Sequence, residues 1–193
     1  MQRQPAKVLE PANLRQLLQH ADWQRHKHRN RVLILLSSKA GLRACEISGL
    51  TWPMVLASDR RVSDLITVAS SIAKKGSGRR IPLHPELKAA IKELHRIEGR
   101  PDQGAVIRSE RGDHMTPGSI VNWFRAVYDE LGLSGCSSHS GRRTFITTSA
   151  RVLAKTGGSL RDIQELAGHR SLTTTERYIE GDRAAQRRLI NLL

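Results

Sequence analysis

Cysteine is almost missing from this 193-residue chain. The two present, Cys45 and Cys136, lie far apart and form no C-x-x-C pattern. That usage fits a reducing cytosol and argues against a structural zinc site. Aromatic residues are scarce at 4%, so each one carries more weight than usual. No run approaches the roughly 18 apolar residues that a membrane-spanning helix needs. The first 14 residues lack the apolar centre of a secretory signal. The eight histidines form no H-E-x-x-H pattern, and His26 and His28 sit among Arg25, Lys27 and Arg29, a poor setting for a metal cation. No metal and no cofactor are expected. Acidic residues are also few: 18 Asp and Glu stand against 32 Lys and Arg, a net charge of +14.

Such an excess points to a polyanionic partner, most often nucleic acid. The plainer reading is a basic but unspecialised protein, such as a ribosome-associated factor. Anionic membrane is the weaker competitor, because no basic amphipathic segment carries a bulky aromatic face. Apolar residues make up 38% of the chain, which supports an ordinary core.

The chain reads as mainly α with a small antiparallel β-sheet, without repeats or low-complexity tracts. Arg31–Ala40 is an apolar helix with Gly41 just past its end, and a short helix follows through Arg43–Leu50. Leu65–Ile72 and Arg80–Leu83 read as strands, with Lys75–Gly78 as the turn between them. Pro85 opens a helix with Leu87, Ile91 and Leu94 on one face. Thr116 and Pro117 cap and start another. That helix places Ile120, Phe124, Val127, Tyr128 and Leu131 on one apolar stripe and ends at Gly132. Helices are expected from about His139 to Leu153 and from Leu160 to Ala167, the second closed by Gly168. Thr173 and Glu176 form a capping-box pattern that starts one more. The tail ends in Leu189, Ile190, Leu192 and Leu193, an apolar cluster expected to dock on this molecule or on a neighbour.

Four segments carry candidate chemistry. Arg43 and Glu46, at i,i+3, share a helix face; taken alone they read as a surface ion pair. Lys74, Lys75, Arg79 and Arg80 crowd one hairpin, suited to phosphate contacts but equally to a solvated turn. His139 and Arg142, with Arg143 beside them, lie near a helix start whose amides favour anions. A guanidinium there can hold two phosphate oxygens at once. Finally Gly168-His169 precedes Tyr178 by nine residues from the histidine. A tyrosine is usually a core residue, and Tyr128 fits that reading. Tyr178 instead follows the polar stretch Thr173–Arg177.

In order, G-L-R-x-x-E, a hairpin Lys eight residues before Pro82, H-x-x-R, G-H and a Tyr nine residues on resemble the signature of the tyrosine recombinases, the phage-integrase type. The resemblance runs from about Leu9 to beyond Tyr178. It implies the tyrosine recombinase catalytic-domain fold and a site-specific recombinase that cuts and rejoins DNA through a 3′-phosphotyrosyl link. Position by position, Arg43 and Arg142 resemble the catalytic arginines, His139 and His169 the histidines, and Tyr178 the nucleophile. Lys74 matches the hairpin lysine, with Lys75 the near competitor. Glu46 is implied to orient basic neighbours, and Lys75, Arg79, Arg80 and Arg143 to contact DNA. Arg143 stands where many members have histidine.

The resemblance also implies double-stranded DNA as partner, a cytoplasmic place of action in a bacterium or phage, and self-assembly on DNA through the C-terminal tail. The chain is expected to be a single catalytic domain over 1–193, with an arm at 1–8 and a tail at 179–193. The N-terminal helical domain usual in the family is not within it, as in a naturally short member or a shortened piece. The rival readings are a type IB topoisomerase-like relaxing enzyme, a non-catalytic DNA-binding relic and a hydrolytic phosphodiesterase. An intact Arg–Lys–His–Arg–His–Tyr set argues against the relic.

Overall fold

The computed structural model describes residues 6–73, 76–178, 187, 190 and 191, apart from the side chain of Ala154. Its centre is a helix, α2 (Lys27–Lys39), whose middle stretch, 32–36, is apolar on every side. Val32, Leu33, Ile34, Leu35 and Leu36 are all buried. A helix of that kind must be covered on every side. The cover comes from α1 (Pro11–Asp22), α4 (Pro85–Ile97) and α6 (Ser140–Thr156). The first of these, α1, was not anticipated. Its signals were local, with Pro11 in the first turn and Leu17, Leu18 and Ala21 on the buried face.

The chain leaves α2 through Gly41, whose φ of +64° places it in the left-handed region favoured by glycine. A β-carbon there would also lie 2.4 Å from the Phe145 ring. The short helix α3 (Ala44–Ser48) follows, then a 3₁₀ turn (Trp52–Met54). Strands β1 (Leu65–Val68) and β2 (Arg79–Pro82) pair antiparallel, with Ile66 opposite Ile81. Ile66, Val68 and Ile81 face the core. The first strand is shorter than its sequence suggests. After Val68 the backbone turns, with Ile72 and Ala73 both donating to the Ala69 carbonyl, so the connection is longer than the four-residue turn expected. Lys74 and Lys75 lie outside the described residues.

Helix α4 buries Leu87, Ile91 and Leu94 as its spacing requires. Helix α5 (Pro117–Glu130) is capped by Thr116, whose hydroxyl accepts from the Ser119 amide at 3.1 Å. It buries Ile120, Phe124, Val127 and Tyr128. Helix α7 (Leu160–Ala167) ends at left-handed Gly168, and α8 (Leu172–Glu176) follows. The capping pattern expected at Thr173 is displaced: Ser171 holds the extended cap position, and Thr173 falls inside the first turn. Ile146, Ile163 and Ala167 form a second, smaller core apart from the main one. Among the described residues no helix is long and apolar enough to cross a membrane. Of the tail's apolar cluster, Ile190 is 66% exposed, and Leu189, Leu192 and Leu193 lie outside the described residues.

The first turn of α6 presses directly on α2. A β-carbon at Gly141 would stand 2.3 Å from the Ser37 hydroxyl and 2.9 Å from its β-carbon. Gly141→Ala is therefore expected to destabilise the fold by about 1–3 kcal/mol, the usual cost of overpacking. Adding Ser37→Gly should recover part of that loss. Urea unfolding midpoints check it, and an unchanged midpoint for Gly141→Ala refutes the tight approach.

Candidate active site

The turn after α2 delivers Arg43 to the start of α3. Its guanidinium donates to Glu46 Oε1 at 3.0 Å, and its amide donates to Glu46 Oε2 at 2.9 Å. Glu46 is fully buried. Its two oxygens also accept from Arg79, Nη1 at 2.9 Å and Nη2 at 3.0 Å, in the parallel fork that suits guanidinium and carboxylate. Burial alone would raise the Glu46 carboxyl. The hydrogen bonds and charges of Arg79 and Arg43 outweigh it and hold the group below the usual carboxylate range.

Arg142 comes from the first turn of α6 and is 4% exposed. It donates to the Gly41 carbonyl at 2.5 Å and to the Ala167 carbonyl at 2.6 Å, tying together the ends of α2 and α7. Burial, then repulsion from Arg43, presses this guanidinium down to about 9. It is still charged at neutral pH, and an anion placed beside it would relieve both costs.

His169 follows Gly168 and is 9% exposed. Burial, then the charges of Arg142, Arg43 and Arg79, lowers its imidazole to about 4, so the ring is neutral under ordinary conditions. Its Nδ1 lies 3.0 Å from the Thr175 hydroxyl. Its face stacks on Tyr178, with centroids 5.6 Å apart and planes 21° from parallel. The Arg143 guanidinium stands 5.6 Å from the centre of the Tyr178 ring. Tyr178 itself is half-buried and packs against the Ile146–Ile163–Ala167 cluster. A polar sequence neighbourhood did not predict that apolar footing. His139 is exposed at the N-cap of α6.

Arg43, His139, Arg142, Arg143, His169 and Tyr178 thus line one open cavity of about 850 Å³. The residues come from α3, α6 and the segment around α7 and α8. A cavity of about 910 Å³ elsewhere, between Ala57 and Arg100 in sequence, contains none of the sequence-predicted residues. Among the described residues no group of three or more His, Cys, Asp or Glu is placed to hold a metal ion.

Three described residues of the predicted set, Glu46, Arg79 and Arg80, do not line this cavity. Arg80 is exposed on β2. Arg79 was expected to contact phosphate, but its side chain is 6% exposed and turned inward. Both terminal nitrogens go to Glu46, and Nε donates to the Leu166 carbonyl at 2.8 Å. The inward turn has a simple reason. Alternation on β2 sends Arg79 and Ile81 to one face, and a fully buried carboxylate waits there. Thr175 was missed as a site residue. The only sequence signal near it was the threonine run before Tyr178.

Arg79→Met should consequently act on folding. It removes a bidentate partner from a buried carboxylate and a donor from a carbonyl, although Arg43 remains. About 3 kcal/mol of stability is expected to be lost, near the lower end for breaking a buried pair. Chemical denaturation measures it. Unchanged stability together with weakened DNA binding would restore Arg79 to the phosphate-contact role.

The chain belongs to the phage integrase family, whose model matches residues 7–184. It is 33% identical over 159 residues to tyrosine recombinase XerC of Mesorhizobium japonicum, a match covering 81% of this chain and 48% of that protein. It is 29% identical over 160 residues to tyrosine recombinase XerD of Mycobacterium tuberculosis, covering 78% of this chain and 47% of that protein. The chain spans about half the length of these relatives. Its fold is shared with the Tn1549 transposon integrase, solved in complex with transposon right end DNA. The TM-score is 0.75 at 20% identity, over 100% of this chain and 67% of that one. XerA recombinase shares the fold too, with a TM-score of 0.74 at 21% identity, over 98% of this chain and 66% of that one. The mainly helical domain with a two-stranded antiparallel sheet is the fold of a tyrosine recombinase catalytic domain.

Proposed function

We propose that this chain is the DNA-cutting and rejoining domain of a site-specific recombinase, acting on double-stranded DNA in the cytoplasm with Tyr178 as nucleophile. The observation that carries the reading is the gathering of Arg43, His139, Arg142 and His169 in one cavity with the Tyr178 ring.

In this reading Arg43 and Arg142 hold the non-bridging oxygens of the scissile phosphate. They stabilise the charge that builds as the phenol oxygen attacks phosphorus. The new bond joins the Tyr178 oxygen to phosphorus, and the bond to the 5′-oxygen breaks. The resulting 3′-phosphotyrosyl link retains the phosphodiester's energy, so the 5′-hydroxyl of a partner strand reverses the step. His139 assists removal of the phenolic proton, and a hairpin lysine supplies the proton for the departing 5′-oxygen. Lys74 is that lysine by its distance to Pro82, and Lys75 is its competitor. His169 hydrogen-bonds the phosphate, and Arg143 and Arg80 contact the DNA backbone. Glu46 orients Arg43, and Arg79 holds Glu46 from behind. The terminal apolar cluster of the tail, to which exposed Ile190 belongs, joins subunits on DNA.

The test is a nicked duplex carrying a candidate attachment sequence, incubated with the chain and run on a denaturing gel. A covalent protein–DNA band is expected, together with joint products when two duplexes are supplied. No covalent band on any duplex tried would favour a DNA-binding relic. A band with relaxation of supercoils but no joint products would favour the topoisomerase-like reading.

A further inference from the structure

We propose that Thr175 is a positioning residue that sets the tautomer of His169, placing its single ring proton on Nε2. The inference rests on the reading above, in which His169 faces the scissile phosphate.

Thr175 is fully buried in α8, and its hydroxyl stands 3.0 Å from His169 Nδ1. The rest of His169 is held as well. Its backbone amide donates to the Gln164 carbonyl, and its carbonyl accepts from the Gln164 side chain, each at 3.0 Å. Its ring face is held by the stack on Tyr178. The direction of the bond to Thr175 follows from counting protons. A threonine hydroxyl has one proton to donate. Among the described residues, Nδ1 is the side-chain partner that the structure gives that hydroxyl. If Nδ1 carried a proton and donated it to Thr175, the hydroxyl proton would be left in a buried place without an acceptor, which is costly. If Thr175 donates instead, Nδ1 accepts, and the neutral ring must carry its proton on Nε2. Protonating both nitrogens is opposed by burial and by the nearby arginines.

The consequence concerns the remaining edge of the ring. His169 lines the cavity with Arg43, Arg142 and Tyr178, and Nδ1 is already engaged with Thr175. Nε2–H can donate to a phosphate oxygen, whereas the other tautomer would set a lone pair against it. Thr175 therefore acts on the phosphate through His169.

The test uses the 193-residue chain with ¹⁵N-labelled histidine, as wild type, Thr175→Val and Thr175→Ser, without DNA. The wild type and the Ser variant should show a protonated, pyrrole-like Nε2 and an unprotonated Nδ1 for His169. The Val variant, which keeps the shape and loses the hydroxyl, should shift toward the Nδ1–H form. Single-turnover cleavage of a nicked duplex should fall about 10- to 100-fold for Val, the size of one hydrogen bond to a charged group. It should stay near wild type for Ser, with DNA affinity unchanged in both. A wild-type His169 protonated on Nδ1, or a folded Val variant with an unaltered tautomer, overturns the proposal. If Val does not fold, the wild-type and Ser spectra still decide where the proton sits. A chain that forms no covalent adduct in any version sinks the recombinase reading, while the spectra judge the tautomer independently.

Discussion

Tyr178→Phe is expected to eliminate covalent attachment to a nicked duplex while changing DNA affinity by no more than about twofold, the usual range for a substitution that disturbs no packing. The change removes one oxygen. It keeps the ring that stacks on His169, lies beneath the Arg143 guanidinium and packs on Ile146, Ile163 and Ala167. Folding should survive for that reason. The other tyrosine offers no substitute nucleophile. Tyr128 is 1% exposed in the main core, its hydroxyl is buried without a partner, and burial pushes its phenol well above the usual range. An adduct that persists in the Phe variant would show that a different residue attacks.

Arg142→Lys should be nearly as damaging, although it conserves charge. The Arg142 fork reaches the Gly41 and Ala167 carbonyls together and keeps further donors for an anion in the cavity. An ammonium has three donors and no planar fork, so it cannot span both carbonyls and grip two phosphate oxygens. Cleavage of a nicked duplex is expected to fall about 100- to 1000-fold, the scale of losing one preorganised donor to the transition state. Stability should also fall by about 1–3 kcal/mol, because a buried carbonyl loses its donor. Single-turnover kinetics with a parallel unfolding curve checks both effects. Wild-type cleavage in the Lys variant would mean that charge alone matters and that the fork has no role.

Much of the fold could be read without coordinates. The stripes on α4 and α5, the Thr116 cap, and the glycines closing α2 and α7 are all local signals. A helix face or a left-handed cap is determined by residues a few positions apart. The candidate site was legible as residue types in order: Arg43, His139, Arg142, His169 and Tyr178 all come to one cavity. Sequence pattern and structure part where a local signal meets a distant partner. Arg79 reads as one of four cations on a hairpin, yet it closes on Glu46, 33 residues away. Thr173 has the spacing of a helix cap, but the cap falls to Ser171. That shift leaves Thr175 facing His169.

The sequence by itself determined the chemical inventory, its order along the chain and the face of each helix turned inward. Those properties depend on composition and on periods of two or 3.6 residues. Only the tertiary structure decided how the charged groups divide their hydrogen bonds. Arg43 and Arg142 line the cavity while Arg79 is consumed behind it, and Arg142 finds its carbonyls at separations of 101 and 25 residues. All three are arginine in the sequence. Which one keeps donors for an anion depends on where the buried Glu46 carboxylate and a few helix-end carbonyls come to lie, and those positions are fixed by packing between elements far apart in the chain.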